Sequence, residues 1–158
     1  MRYVLLIAAA ALTTAPAQSQ TPPRLDARTA QAIVNGCAAH AAGKKQSHAI
    51  VVVDTGGHLV AALRMDGNGS GMMDFALAKA QAVAAWGFPT VDMAEGAKET
   101  PGFAFAPHVV TVAGGVPIFS ADGMTRLGAA GASGEAPQDD AACVVAGIAA
   151  ARLRSARP

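Results

Sequence analysis

The sequence predicts an α/β protein of the α+β type: an antiparallel five-stranded sheet with packed helices, in the order α-ββ-α-βββ-α. Three observations lead there. Apolar, β-branched runs come in neighbouring pairs joined by short glycine-containing turns, and such hairpins need no long crossover. Stretches near both ends of the chain and in its middle carry apolar residues at helical spacing. Single strands alternating with helices, the pattern of a doubly wound parallel sheet, do not occur.

The 158 residues correspond to one domain with an export segment in front of it. Residues 1–17 carry Arg2, an apolar run from Val4 to Leu12, and Ala15-Pro16-Ala17, a small-x-small cleavage pattern. That is the layout of a secretory signal peptide, cut after Ala17 or, alternatively, after Ser19. The run is well short of the ~20 apolar residues of a membrane span, so a periplasmic or secreted protein without a span is expected. Residues 18–25, with Thr21-Pro22-Pro23, read as an extended leader, and 26–154 as a single domain.

Of 12 basic and 11 acidic residues, cleavage removes Arg2 alone and leaves the two signs equal. Such a balance excludes the basic footprint of a nucleic-acid binder. Hydrophobic residues at 52% against 15% charged exclude a disordered polyelectrolyte. Aromatics are only 4% and alanine dominates the apolar share, so the core must rest on small side chains. A homo-oligomer is the expected means of burying a further face.

Asp26 is a suitable N-cap for a helix over 26–42, with Ala30, Ile33, Val34, Cys37, Ala38 and Ala41 on one face. Gly43 stops it. Ala49 to Val53 and His58 to Arg64 flank Asp54-Thr55-Gly56-Gly57 and form a hairpin. Ser70 caps a helix over 71–86, which Gly87 and Pro89 end. Thr90 to Pro107, containing Gly96, Pro101 and Gly102, reads as a long loop with at most a short helix, the kind of segment that serves as a ligand lid. Strands are expected at Val109–Val112, Val116–Ser120 and Arg126–Ala132, the last two joined by Asp122-Gly123. A helix from about Gln138 to Leu153 closes the chain, with Pro137 in its first turn and Asp139 and Asp140 complementing its dipole.

Cys37 and Cys143 leave two readings open. In an exported chain they can pair, closing a long loop worth roughly 4–5 kcal/mol in the chain-entropy account; equally, both can be small buried thiols. No CxxC and no closely spaced histidine pair supports zinc. The face formed by Cys143, Gly147 and Ala150 suits close approach of another helix, from this chain or from another subunit.

Four motifs stand in one order: Arg64-Met65-Asp66-Gly67; Ala76 to Ala80 followed by Phe88-Pro89-Thr90; Gly114-Gly115-Val116-Pro117-Ile118; and Gly128 to Gly134 leading to Asp140. In these the chain resembles the GlcG/HbpS family of heme-binding and heme-degrading domains, which includes the C-terminal domain of some corrinoid adenosyltransferases. The likeness spans about residues 25–153. It implies a profilin-like fold, oligomers and, in several members, heme as the bound cofactor.

The residues themselves offer these candidates. Gly114 and Gly115, ahead of Val116-Pro117, either leave backbone amides open to a planar or anionic ligand or mark a bulge into a strand. Arg64 and Asp66 point to one side of a pleated strand; Arg64 can take a carboxylate or propionate, or the two can pin the following loop. Lys79 either snorkels past the core edge or reaches the pocket. For heme iron, His108 is the first candidate because Phe103, Phe105 and Pro107 precede it, and His40, on a helix flank, is the second. The expected site has residues 90–107 closing over a pocket floored by Gly114-Gly115 and walled by Arg64 and Lys79. Ser133 lacks a nucleophile elbow, and no phosphate loop occurs. Two functions remain open: an exported binder of heme or a small planar ligand, or an enzyme acting on a small organic acid.

Overall fold

The computed structural model describes residues 24–158. The segment expected to be a signal peptide, 1–17, and nearly all of the expected leader lie outside them. Four helices, α1 (Ala27–Gly43), α2 (Ser70–Trp86), α3 (Thr90–Glu99) and α4 (Pro137–Ala150), pack on strands β1 (Ala49–Asp54), β2 (Leu59–Arg64), β3 (Gly115–Phe119) and β4 (Arg126–Ser133). The strands form one antiparallel sheet in the order β2-β1-β4-β3.

Alternation along β1 and β4 explains the layers. Ile50, Val52, Ala130 and Ala132 face α1 and α4, where Ile33, Val34, Cys37, Val144 and Ile148 complete one core. Ala49, Val51, Val53 and Ala129 face α2 and its Ala76, Ala80 and Val83. Successive strand residues point to opposite faces, so one strand feeds both cores. Small residues allow the layers to approach closely: a Cβ on Gly131 would lie 2.8 Å from the Ala80 nitrogen and overlap the Ala76 carbonyl.

α1 begins at Asp26, whose carboxylate accepts the Thr29 N–H at 2.7 Å. α2 ends at Gly87, where φ of 88° requires a residue without a Cβ. α1 and α4 are cross-linked by a disulfide between Cys37 and Cys143, which decides the open choice between bridge and thiols. A Cβ on Gly36 would stand 2.6 Å from that of Ala150. The Cys143, Gly147 and Ala150 face is therefore spent on α1 of the same chain and is not an inter-subunit surface.

Two expectations are corrected. The sheet has four strands: Val109–Val112 stays irregular, and the Val109 N–H is taken by the Ala106 carbonyl in a turn. The outer edge of β3, where a fifth strand would pair, is blocked by Pro117 and by backbone bonds between Phe119 and Arg154 at 2.8 and 3.2 Å. Residues 90–105 form the ten-residue α3 and a short 3-10 helix, Pro101–Phe105, rather than a loop. Only Thr90 and Met93 of α3 are buried, so its sequence carries almost no apolar stripe. Among the described residues no helix is long and apolar enough to cross a membrane.

Candidate functional site

Most of the motifs converge on a buried polar network. Lys79, midway along α2, is fully enclosed; its Nζ donates to Asp140 Oδ2 and to the Ala132 carbonyl, both at 2.9 Å, and stands 4.8 Å from the centre of the Phe75 ring. Asp140 lies in the first turn of α4, where its charge is favoured. Its Oδ1 accepts His48 Nδ1 at 3.0 Å and the Glu135 N–H at 3.2 Å. A carboxylate can only accept, which puts the His48 proton on Nδ1 and leaves Nε2 buried without a partner. Lys79 therefore neither snorkels nor walls an open pocket.

The paired glycines serve this network. Gly114 has φ of 126°, and a Cβ there would lie 2.7 Å from both Lys79 Nζ and the Ala132 carbonyl. At Gly115 it would lie 2.6 Å from the Lys79 carbonyl and from Thr90 Cγ2, while the Gly115 N–H donates to Thr90 Oγ1 at 3.0 Å. Gly114, Gly115 and Pro117 are all buried, and the chain itself fills the space above the glycines. The start of α3 covers this point as packing, not as a lid over a cavity.

Arg64 and Asp66 lie elsewhere. β2 and β3 occupy opposite edges of the sheet, which separates Arg64 from Gly115 by three strand spacings, roughly 14 Å. Arg64 is exposed and donates to the Asn68 carbonyl. The Asp66 carbonyl accepts Ser47 Oγ at 2.6 Å, and Asn68 Nδ2 donates to the same hydroxyl at 2.7 Å. The loop is thus pinned through backbone carbonyls and Ser47, with no ion pair between Arg64 and Asp66 among the described residues.

The histidines divide clearly. His58 is exposed beside Asp54 at 3.3 Å. His40 is half-buried near the end of α1, its Nε2 enclosed without a partner. His108 is exposed, has a left-handed φ of 60°, and has no side-chain hydrogen bond among the described residues. It borders a cleft of about 150 Å³ together with Thr55, Gly56, Gly57, Gln81 and Ala84. Next to it Trp86 Nε1 donates to the Pro107 carbonyl at 3.0 Å, and the Trp86 ring meets Phe103 edge-on at 5.0 Å. Phe105 is 89% exposed. On the far side of the cleft, backbone N–H groups of His58 and Gly56 hold the Asp54 carboxyl below its usual range, which keeps the turn fixed.

His108 and Arg64 lie towards opposite ends of β2. Gly57, in the cleft with His108, precedes Arg64 by seven residues, a length of roughly 20 Å along a strand. The structure thus brings Lys79, Gly114 and Gly115 together, and keeps His108 and Arg64 apart from them and from each other. His48 was legible in the sequence only as a residue at a strand start. Its partner Asp140 stands 92 residues away in the chain, and 61 from Lys79, so no local spacing could reveal the network.

An antiparallel sheet enclosed by α2 and the start of α3 on one face and by α1 and α4 on the other, with a polar network at its core, defines the class as an α+β sandwich. The family model described as Haem degrading protein HbpS-like matches residues 25–149, and the chain belongs to that family. A double mutant of Streptomyces reticuli HbpS is 24% identical, covering 90% of this chain and 97% of its own, with a TM-score of 0.74. Klebsiella pneumoniae protein ORFY is 20% identical over 87% and 97%, at 0.76. The PduOC:heme complex is 19% identical over 85% and 100%, also at 0.76. At these identities the likeness establishes the fold. No curated protein matches the chain significantly in sequence.

Proposed function

We propose that the chain is an exported, oligomeric heme-binding protein that stores, scavenges or senses heme, with His108 as the iron ligand. One observation carries this reading: an exposed imidazole on a left-handed backbone, without a hydrogen-bond partner among the described residues, that follows Phe103 and Phe105 and the Pro107 carbonyl to which Trp86 donates. Heme asks for an axial ligand and an apolar surface, and here both come from one segment. Left-handed φ is uncommon outside glycine, and such positions gather at ligand sites. Support also comes from the family and from PduOC, a protein of the same fold solved as a complex with heme.

The cleft at His108 fits this role as a partial site. Its 150 Å³ falls below the ~300–1,000 Å³ of small-molecule pockets, so it would take one edge of a porphyrin, the exposed aromatics or a second copy covering the rest. His40 is the alternative iron ligand in an oligomer. Titrating hemin into the protein and following the Soret band tests the reading: saturation near about one heme per chain is expected, and binding that never saturates would reject it.

A further inference from the structure

We propose that the open edge of β2 pairs antiparallel with β2 of a second copy, making one continuous sheet across a two-fold axis. This rests on the oligomeric reading above and adds to it the surface and the register.

The two edges of the sheet are treated differently. β3 is closed by Pro117, by the Arg154 backbone on Phe119, and by Thr90 on the Gly115 N–H. β2 has no such cover among the described residues, and its sequence, Leu-Val-Ala-Ala-Leu-Arg, contains neither proline nor lysine. Exposed edges of that kind are templates for pairing. α2 lies over β1, β4 and β3 and stops short of β2, where Leu59 is 60% exposed.

Hydrogen-bond phase fixes which groups are free. The Met65 N–H bonds the His48 carbonyl at 3.0 Å, so Met65, Leu63 and Ala61 face β1. Alternation turns the N–H and C=O of Ala62 and Arg64 outward. A bulge interrupts β2 between Leu59 and Ala61 and leaves 61–65 regular. A two-fold axis centred on Leu63 keeps the pairing inside that regular stretch: Leu63 meets its mate, Ala62 lies opposite the partner's Arg64, and Ala61 opposite the partner's Met65. The exposed Leu63 side chain then meets its own copy at the axis, and no like charges face each other. Isologous pairing of this kind needs only one self-complementary strand.

Light scattering and amide hydrogen exchange on the full purified protein test the proposal. The wild type should have the mass of at least two chains, with the Ala62 and Arg64 amides slow to exchange when concentrated and fast on dilution. Ala62→Pro removes only an outward N–H, and Leu63→Lys adds a charge at the edge. Each should fall to half the wild-type mass or less, whereas Val145→Lys on α4 should leave it unchanged. A wild-type monomer overturns the oligomeric reading and this one together. An oligomer whose mass both edge variants preserve, with Ala62 and Arg64 amides exchanging fast at all concentrations, overturns this inference alone. Should Ala62→Pro not fold, Leu63→Lys and the exchange data decide.

Discussion

Lys79 Nζ and Asp140 Oδ2 lie 2.9 Å apart with both side chains all but fully buried, and the same carboxylate holds His48 through its other oxygen. α2, α4 and the residue that leads into β1 thus meet on one charge. Asp140→Ala would leave an ammonium and an imidazole buried without their partner. Breaking a buried pair on one side typically costs ~3–5 kcal/mol. Urea unfolding should show a loss of that order; a loss within experimental error would contradict the structural role given to the network.

The Cys37–Cys143 bridge spans 106 residues of sequence. In the chain-entropy account a loop of that size contributes about 4–5 kcal/mol. Oxidised protein should show no titratable thiol in denaturant and should melt well above its reduced form. Two free thiols in air-purified material would refute the bridge.

Gly147 lets α4 rest on α1: a Cβ there would overlap the Ile33 carbonyl and lie 3.0 Å from the Cys37 nitrogen. Gly147→Ala should cost about 1–3 kcal/mol, as overpacking does. Gly43→Ala, where nothing lies within 4 Å, should be nearly neutral. Equal melting temperatures for the two variants would contradict the close helix contact.

Asp26, Asp54 and Asp122 are held below the ordinary carboxyl range, chiefly by hydrogen bonds from the Thr29 and His58 backbones and from Ser120 respectively. Their folded pKa values are depressed, so their contribution is present above about pH 4 and is lost as pH falls through the folded values. The melting temperature should drop in that acid range, and Asp54→Ala should reduce the drop. A wild-type curve flat through acid would count against these hydrogen bonds.

Seven of the eight regular elements were legible in the sequence because each has a local signature. β1 and β4 alternate or run apolar, α1 has Asp26 and a regular stripe, and Gly57, Gly87 and Gly123 mark turns where φ is positive. α3 lacked such a signature, since its burial is limited to Thr90 and Met93 and Gly96 interrupts it. The site was less legible. Lys79 among alanines was a visible anomaly, but its partners come from α4 and β4, distant in the chain, and sequence could not choose between pocket and core. Gly114 and Gly115 likewise proved to make room for Lys79 and Thr90, not for a ligand.

The proposed ligation of heme iron by His108, in the segment that carries Phe103 and Phe105, is tested most directly by absorbance spectra of hemin-loaded variants. His108→Ala should lose the ligand-field features of the wild type, while His40→Ala keeps them. Unchanged spectra in His108→Ala would contradict the claim, and loss in His40→Ala instead would move the iron to the end of α1.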